Sequence, residues 1–412
     1  MRKISWFTLV TFILISLVLS ACSSNSSGNG ENVLVIGEVD SLTGPASIYG
    51  AAQNEAIKMA VDEINEDGGI RVGDKQYKLK LNSYDDKGDA SEAISSVRKL
   101  IDRDGVKFIV GWASSTPTMG VAQMIGSEDA LMIVGNAGDQ NITMQGVSNI
   151  FRVRSPGGVN GASTGTFFAE QGYEKVAVLG QLKDSYYEQV YKHFKTNYTA
   201  NGGTIIGEES FSLGDQDMYT QLTKLINLKP DVIYTPGYAE QVAFVIRQAR
   251  ELGYTGKIIT EAGGSEEQYL KVASNDQMKD VMEVRIIGAT QGALNESGLK
   301  FVENYQERYG KSPNTAAIYG YDTVYVLKAG LEKAGSLDVD KVSEAIRNME
   351  PPSDLACLYV PIDGKMFDEN GQGYVKNVEI QWNDGKWEYI ADVETDAKQY
   401  SEYMSTLINQ NK

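Results

Sequence analysis

The run VLVIGEVDSLTGPASIYGAAQNEAIKMAVDEINEDGG, residues 33–69, carries two hydrophobic periods back to back. Val33-Leu34-Val35-Ile36 is a continuous apolar run of strand length. Ile57, Val61 and Ile64 then recur at helical spacing, and Gly68-Gly69 ends the helix. Downstream, Leu79 and Leu81 alternate with Lys78 and Lys80, as on a strand covered on one face. Asp89 and Glu92 have the spacing of a capping box and open a helix with the expected stripe Ile94, Val97 and Ile101. Phe108-Ile109-Val110 and Leu131-Met132-Ile133-Val134 read as buried parallel strands.

After Ser155 the pattern restarts. Val176-Ala177-Val178-Leu179 is a strand, a helix runs from about Glu188 to Ala200, and Val232-Ile233-Tyr234 is the next strand. A helix from about Glu240 to Leu252 leads to the strand Lys257-Ile258-Ile259. Two βαβ series in succession predict an α/β protein with two doubly wound parallel-sheet lobes. Ligands of such sheets bind at the carboxyl ends of the strands, so two lobes with facing strand ends make a cleft. No internal repeat with a period of about 20–50 residues is visible.

The N-terminus reads as an export signal. Arg2 and Lys3 precede an apolar run from Phe7 to Leu19, which is short of the roughly 20 residues that span a bilayer. It ends in Leu19-Ser20-Ala21-Cys22, which resembles the lipobox of bacterial lipoproteins. That resemblance implies a signal peptide over residues 1–21 and a diacylglycerol on the Cys22 thiol. Ser23 to Gly30 are Ser, Asn and Gly only, a composition that behaves as a flexible tether. Residues 22–31 are therefore expected to be a lipidated tether that anchors the protein to the outer face of the cytoplasmic membrane, or in a periplasm. The 412 residues carry a net charge of −17, which argues against nucleic acid as a partner. The one other cysteine, Cys357, leaves no disulfide framework and no Cys/His metal site, and no cofactor is implied.

Further elements stand in the order seen in leucine/isoleucine/valine-binding proteins. They are Leu42-Thr43-Gly44-Pro45, Tyr49-Gly50, Asp62-Glu63-Ile64-Asn65, Gly68-Gly69-Ile70, Asp85-Asp86, the Gly111 to Ser115 loop and Phe151-Arg152. Gly237-Tyr238, Arg247-Gln248-Ala249-Arg250, Tyr319, Tyr321-Asp322, Gly330 to Ser336 and Phe367-Asp368-Glu369-Asn370-Gly371 continue the series over nearly the whole chain after the signal. The sequence thus resembles a type I periplasmic binding protein, the solute receptor of an ABC importer. The resemblance implies three crossings between lobes, near Ser155, Arg285 and Met349. The first lobe would then hold residues 32–154 and 286–349, the second 155–285 and 350–412.

The same resemblance carries over ligand contacts one by one. Ser115 matches the serine that holds an amino acid's carboxylate, and a hydroxyl at a strand end and helix start suits an anion. Ser114, Ser115 and Thr116 also serve as caps for the following helix. Tyr49, Tyr186 and Tyr238 match aromatic positions of the cleft, and Trp112 stands beside Ser115 as a further wall. The segment that supplies a threonine hydroxyl corresponds to Gly135-Asn136-Ala137-Gly138-Asp139, with Asn136 in reach and Gly138 at the threonine position. The acid that pairs with the ligand's ammonium falls at Ala262, one residue from Glu261, and a carboxylate in a dry cleft seeks such a partner. These two departures weaken the branched-chain amino-acid expectation more than the receptor expectation. Amides, urea and aromatic acids remain alternative solutes on the same fold.

Two other classes compete with transport. An enzyme lacks support: the sole histidine, His193, sits inside a predicted helix, and Gly111-Trp112-Ala113-Ser114-Ser115 is no nucleophile elbow. A sensor would use the same cleft and report to a membrane kinase or chemoreceptor rather than to an ABC permease.

Overall fold

The computed structural model describes residues 32–286 and 292–410. The expected signal peptide 1–21, the tether 22–31 and the lipidation site Cys22 lie outside the described residues. Strand β1 (Asn32–Asp40) leads into α1 (Ser47–Glu66), the hairpin β2 (Ile70–Val72) and β3 (Lys75–Asp85), α2 (Ala90–Arg98), β4 (Phe108–Gly111), α3 (Ser115–Ile125), β5 (Leu131–Val134) and β6 (Ile150–Arg152). These strands form one sheet in the order β2-β3-β1-β4-β5-β6, with β1, β4, β5 and β6 paired in parallel. Every residue of β4 and β5 is buried, as expected of strands covered on both faces.

The second lobe repeats the scheme. It contains α4 (Gly157–Glu170), β7 (Lys175–Gly180), α5 (Ser185–Ala200), β8 (Thr204–Ser210), α6 (Tyr219–Asn227), β9 (Val232–Pro236), α7 (Ala239–Glu251), β10 (Lys257–Glu261), α8 (Glu266–Leu270), α9 (Asn275–Met278) and β11 (Val281–Ile286). The chain then returns to the first lobe with α10 (Glu296–Tyr309), α11 (Thr315–Ala334) and α12 (Val339–Arg347), and closes in the second with β12 (Asn377–Asn383), β13 (Lys386–Val393) and α13 (Ala397–Gln410). The second sheet runs β13-β12-β11-β10-β9-β7-β8, parallel from β8 to β11 and antiparallel at β12 and β13.

The expected helix starts and stripes shift where local chemistry intervenes. Helix α5 begins at Ser185, not Glu188, because the Asp184 carboxylate caps it by accepting from the N–H groups of Tyr186 and Tyr187. Asp89 caps α2, but Glu92 does not close the box; its carboxylate lies 3.2 Å from Lys87. Ile94 is exposed, and the buried stripe is Ala93, Val97 and Leu100. The helix continues as a π-turn over Lys99–Arg103, and Leu100, three residues after Val97, lies in the core while Ile101 packs against it half-buried.

The crossings also differ from expectation. Near the first, Val153 still packs in the first lobe's core and α4 begins at Gly157. The second falls between Ile286 and Leu294, since Ala293 packs in the second lobe's core and Leu294 in the first's. The third is later than Met349: Leu355, Ala356, Cys357, Met366, Phe367 and Val375 all belong to the first lobe's core. Asp322 on α11 holds that segment by accepting from the N–H groups of Ala356 (2.7 Å) and Cys357 (3.0 Å). The chain leaves the first lobe beside the first crossing, where the Ser155 hydroxyl accepts from Val375 N at 3.0 Å. Among the described residues, no helix is long and apolar enough to cross a membrane.

Candidate functional site

The parallel strands of both sheets point their carboxyl ends at one cleft, and each delivers a short loop to it. From the first lobe come the loops after β1, β4, β5 and β6; from the second, those after β7, β9 and β10. The first-lobe loops are braced from behind. Asp40, at the end of β1, accepts from Ala113 N (2.7 Å) and from the Gln53 amide (3.0 Å). Gln53 in turn accepts from Asn136 N (3.1 Å), so one buried carboxylate and one amide on α1 register the loops after β4 and β5. Burial, with Glu38 and Asp86 nearby, pushes the Asp40 pKa up.

Ser115 is the first residue of α3. Its hydroxyl accepts from Gly138 N (3.1 Å) and Asp139 N (3.0 Å), tying the two loops together. Arg154, two residues past β6, enters the cavity with its guanidinium stacked on the Tyr186 ring, 4.5 Å from the centroid. It donates to Asn136 O (2.5 Å) and to the Tyr186 hydroxyl (2.6 Å). Tyr186 donates to Glu261 Oε1 (3.1 Å), and Tyr234 donates to Glu261 Oε2 (2.8 Å). Burial raises the Glu261 pKa to about 7, against the pull of these hydroxyls and of Arg154. Behind it, Glu283 pairs with Arg285 at 2.7 Å and accepts from the N–H groups of Ala262 and Gly263.

The lobes meet across this site. The Tyr49 hydroxyl, carried on α1, donates to Ala262 O (2.8 Å) and accepts from Ala239 N (3.0 Å), both in the second lobe. Gln189 on α5 donates to Asp139 Oδ1 (2.9 Å) and accepts from Gln140 N (2.8 Å). The space left inside is about 50 Å³, small beside the roughly 150 Å³ of a cavity that holds benzene; Arg154 and Tyr186 are among the side chains that line it.

Of the residues expected from the sequence, Tyr49, Ser115, Asn136, Gly138, Tyr186, Tyr238 and Glu261 line one cavity. Ser114 stands at its edge, where its hydroxyl bonds to that of Tyr238. Trp112 does not line it. The Trp112 backbone is left-handed (φ 60°), which turns the indole into the core between the sheet and helices α2 and α3. Asp139 is also turned away, its carboxylate accepting from Asn141 and Gln189. Sequence reading missed Arg154, Glu283, Arg285, Thr315, Tyr187 and, as a lining group, Tyr319. A signal was present for three of them. In Phe151-Arg152-Val153-Arg154 and Glu283-Val284-Arg285, charged residues alternate with apolar ones in extended segments, which puts both charges on one face.

A family model described as periplasmic binding protein matches residues 34–386. Among curated proteins, the leucine-, isoleucine-, valine-, threonine- and alanine-binding protein of Pseudomonas aeruginosa is 26% identical over 330 residues, 80% of this chain and 84% of that one. A Leu/Ile/Val-binding protein of Rhizobium johnstonii is 26% identical over 316 residues, 76% of this chain and 83% of the other. Among solved structures, a leucine-binding protein from Thermotoga maritima has a TM-score of 0.78 at 26% identity, over 88% of this chain and 99% of its own.

Proposed function

The chain belongs to the periplasmic binding protein family, and from that premise we propose that it captures an amino acid in the interlobe cleft for an ABC importer. The observation that carries this reading is the polarity of the cleft. Ser115 and Arg154 bring donors to the cavity, and Glu261 brings a carboxylate that the Tyr186 hydroxyl separates from Arg154. A zwitterion offers the complementary pair. Between these poles, Tyr49, Tyr187, Tyr238 and Ala113 supply an aromatic and apolar wall suited to a short aliphatic side chain. The relatives' names, with leucine, isoleucine and valine in common, favour the same solute class. Binding draws the lobes together around their crossings, and the closed form then docks on the permease.

Leu19-Ser20-Ala21-Cys22 supports attachment through lipid on Cys22. Cys22→Ser should move the protein from the detergent phase to the aqueous phase in a cloud-point partition.

A thermal-shift screen tests the solute. The panel holds branched-chain and other amino acids, short amides, urea and aromatic acids. An amino acid at 100 times its Kd should stabilise the fold by about 2.7 kcal/mol. Shifts confined to neutral amides or urea would overturn the reading.

A further inference from the structure

Arg154 is a buried cation with no carboxylate in hydrogen-bond contact; the nearest it comes to one is Glu261, reached through the Tyr186 hydroxyl. The relative exposure of Arg154 is 6%, and every hydrogen bond it donates goes to a neutral oxygen: Ser155 O, Asn136 O and Oδ1, and the Tyr186 hydroxyl. Arg152, two residues back, is fully buried and likewise donates to the Gln372 amide and to the carbonyls of Ala137 and Asp139. The nearby Asp139 carboxylate is taken by Asn141 and Gln189. Buried charges are ordinarily paired, and Arg285 in the same cavity shows the usual solution, an ion pair with Glu283 at 2.7 Å. Arg154 faces the cavity without one.

Two further features bear on the same space. A serine hydroxyl accepts two hydrogen bonds and donates one. Ser115 uses both acceptor positions on Gly138 N and Asp139 N, and no described residue takes its proton. Gly138 is the second feature. A Cβ there would lie 3.0 Å from Arg154 Cζ and 2.5 Å from the Tyr186 ring. The resemblance places a carboxylate-binding threonine at this position; here the guanidinium and the ring it stacks on occupy the room a side chain would need.

We propose that Arg154 reads the carboxylate of the ligand in place of a hydroxyl at position 138, so that the receptor requires an anionic ligand and refuses the matched carboxamide. The inference rests on the cleft being the solute site, and not on the solute being an amino acid. The carboxylate takes the Nη2 edge now facing Tyr186 and accepts the Ser115 proton. Tyr186 keeps its hydrogen bond to Glu261. A guanidinium edge suits this task because its fixed N–H geometry matches a carboxylate, whereas a carboxamide presents an NH₂ group to a donor and leaves it unpaired.

The test uses acetate and formate as minimal carboxylates, and the acid–amide pairs leucine/leucinamide and benzoate/benzamide. Thermal shift and calorimetry are run on the wild-type protein, Arg154→Gln and Arg154→Lys. The wild type should bind the acid of at least one pair about 100-fold more tightly than its amide. Arg154→Gln should abolish that preference and the acetate shift, and Arg154→Lys should restore part of it. Because an unpaired buried cation is being removed, Arg154→Gln should melt no lower than the wild type without ligand. The acid–amide comparison on the wild type alone decides the matter if it does. Carboxylate shifts that are equal in wild type and Arg154→Gln, or absent from both, would overturn the proposal. Leucine binding with no dependence on Arg154 would sink this inference and leave the amino-acid receptor standing. Arg154-dependent benzoate or acetate binding without any amino acid would do the reverse.

Discussion

At the scale of single residues, the cleft is lined by several hydroxyls and by one acid with a shifted proton affinity. Ser115→Ala removes both the tie between two loops and a hydroxyl that lines the cavity. Tyr238→Ala removes a ring packed 5.1 Å from Tyr49 and 5.5 Å from Tyr187. Each should weaken ligand binding roughly 10- to 100-fold in calorimetry while the chain still folds; wild-type affinity in both would refute the site. Glu261 makes a pH prediction. Its pKa is raised to about 7 from the ordinary 4.5, so the native chain holds that proton more tightly than the unfolded chain between those values. Its contribution to stability is therefore complete below pH 4.5 and is lost as pH rises toward 7. Glu261→Gln abolishes the loss, so the variant should gain on the wild type between pH 5 and pH 8, by on the order of 3 kcal/mol in denaturant melts. A stability difference that does not change over this range would mean that Glu261 ionises normally.

At the scale of elements, the βαβ order was legible because each strand and helix carries its own hydrophobic period. The exceptions have local causes. Trp112 looked like a wall because it adjoins Ser115, but direction at a strand end depends on a backbone angle, and no hydrophobic pattern reports φ. Arg154 and the pair Glu283–Arg285 were hidden for a different reason. Their charges alternate with apolar neighbours and so resemble exposed strand faces, and only the second lobe turns that face inward. The third crossing was misplaced because the irregular chain from Leu355 to Val375 has no period at all; two N–H bonds to Asp322 assign it to the first lobe. Gly138 tests how far the loop after β5 has been reshaped. Gly138→Thr restores the side chain the resemblance expects but drives its Cβ into the Tyr186 ring. It should raise the Kd about 5- to 100-fold, in line with the cost of overpacking a filled site. Tighter binding would show that the loop can give way.

At the scale of the whole molecule, the two lobes are held by groups that also enclose the solute. Tyr49 and Gln189 bridge them directly, and the crossings at Ser155 and Val375 lie side by side. Tyr49→Phe deletes two of the bridging bonds and should speed ligand release roughly 5- to 100-fold in stopped-flow displacement, at about 0.5–1.5 kcal/mol per bond. An unchanged release rate would mean that Tyr49 only packs. The resemblance over nearly the whole chain made the two-lobed plan and the cleft readable in advance. The Tyr49 contacts were not readable, because they join residues 190 and 213 positions apart through backbone atoms. The Tyr49 bridge has a consequence for how such a receptor changes over generations. Its partners are a main-chain carbonyl at 262 and a main-chain N–H at 239, which almost any amino acid at those positions would preserve, proline at 239 excepted. Mutations can therefore exchange the lining of the cleft, and with it the cargo, while the mechanism of shutting is inherited intact.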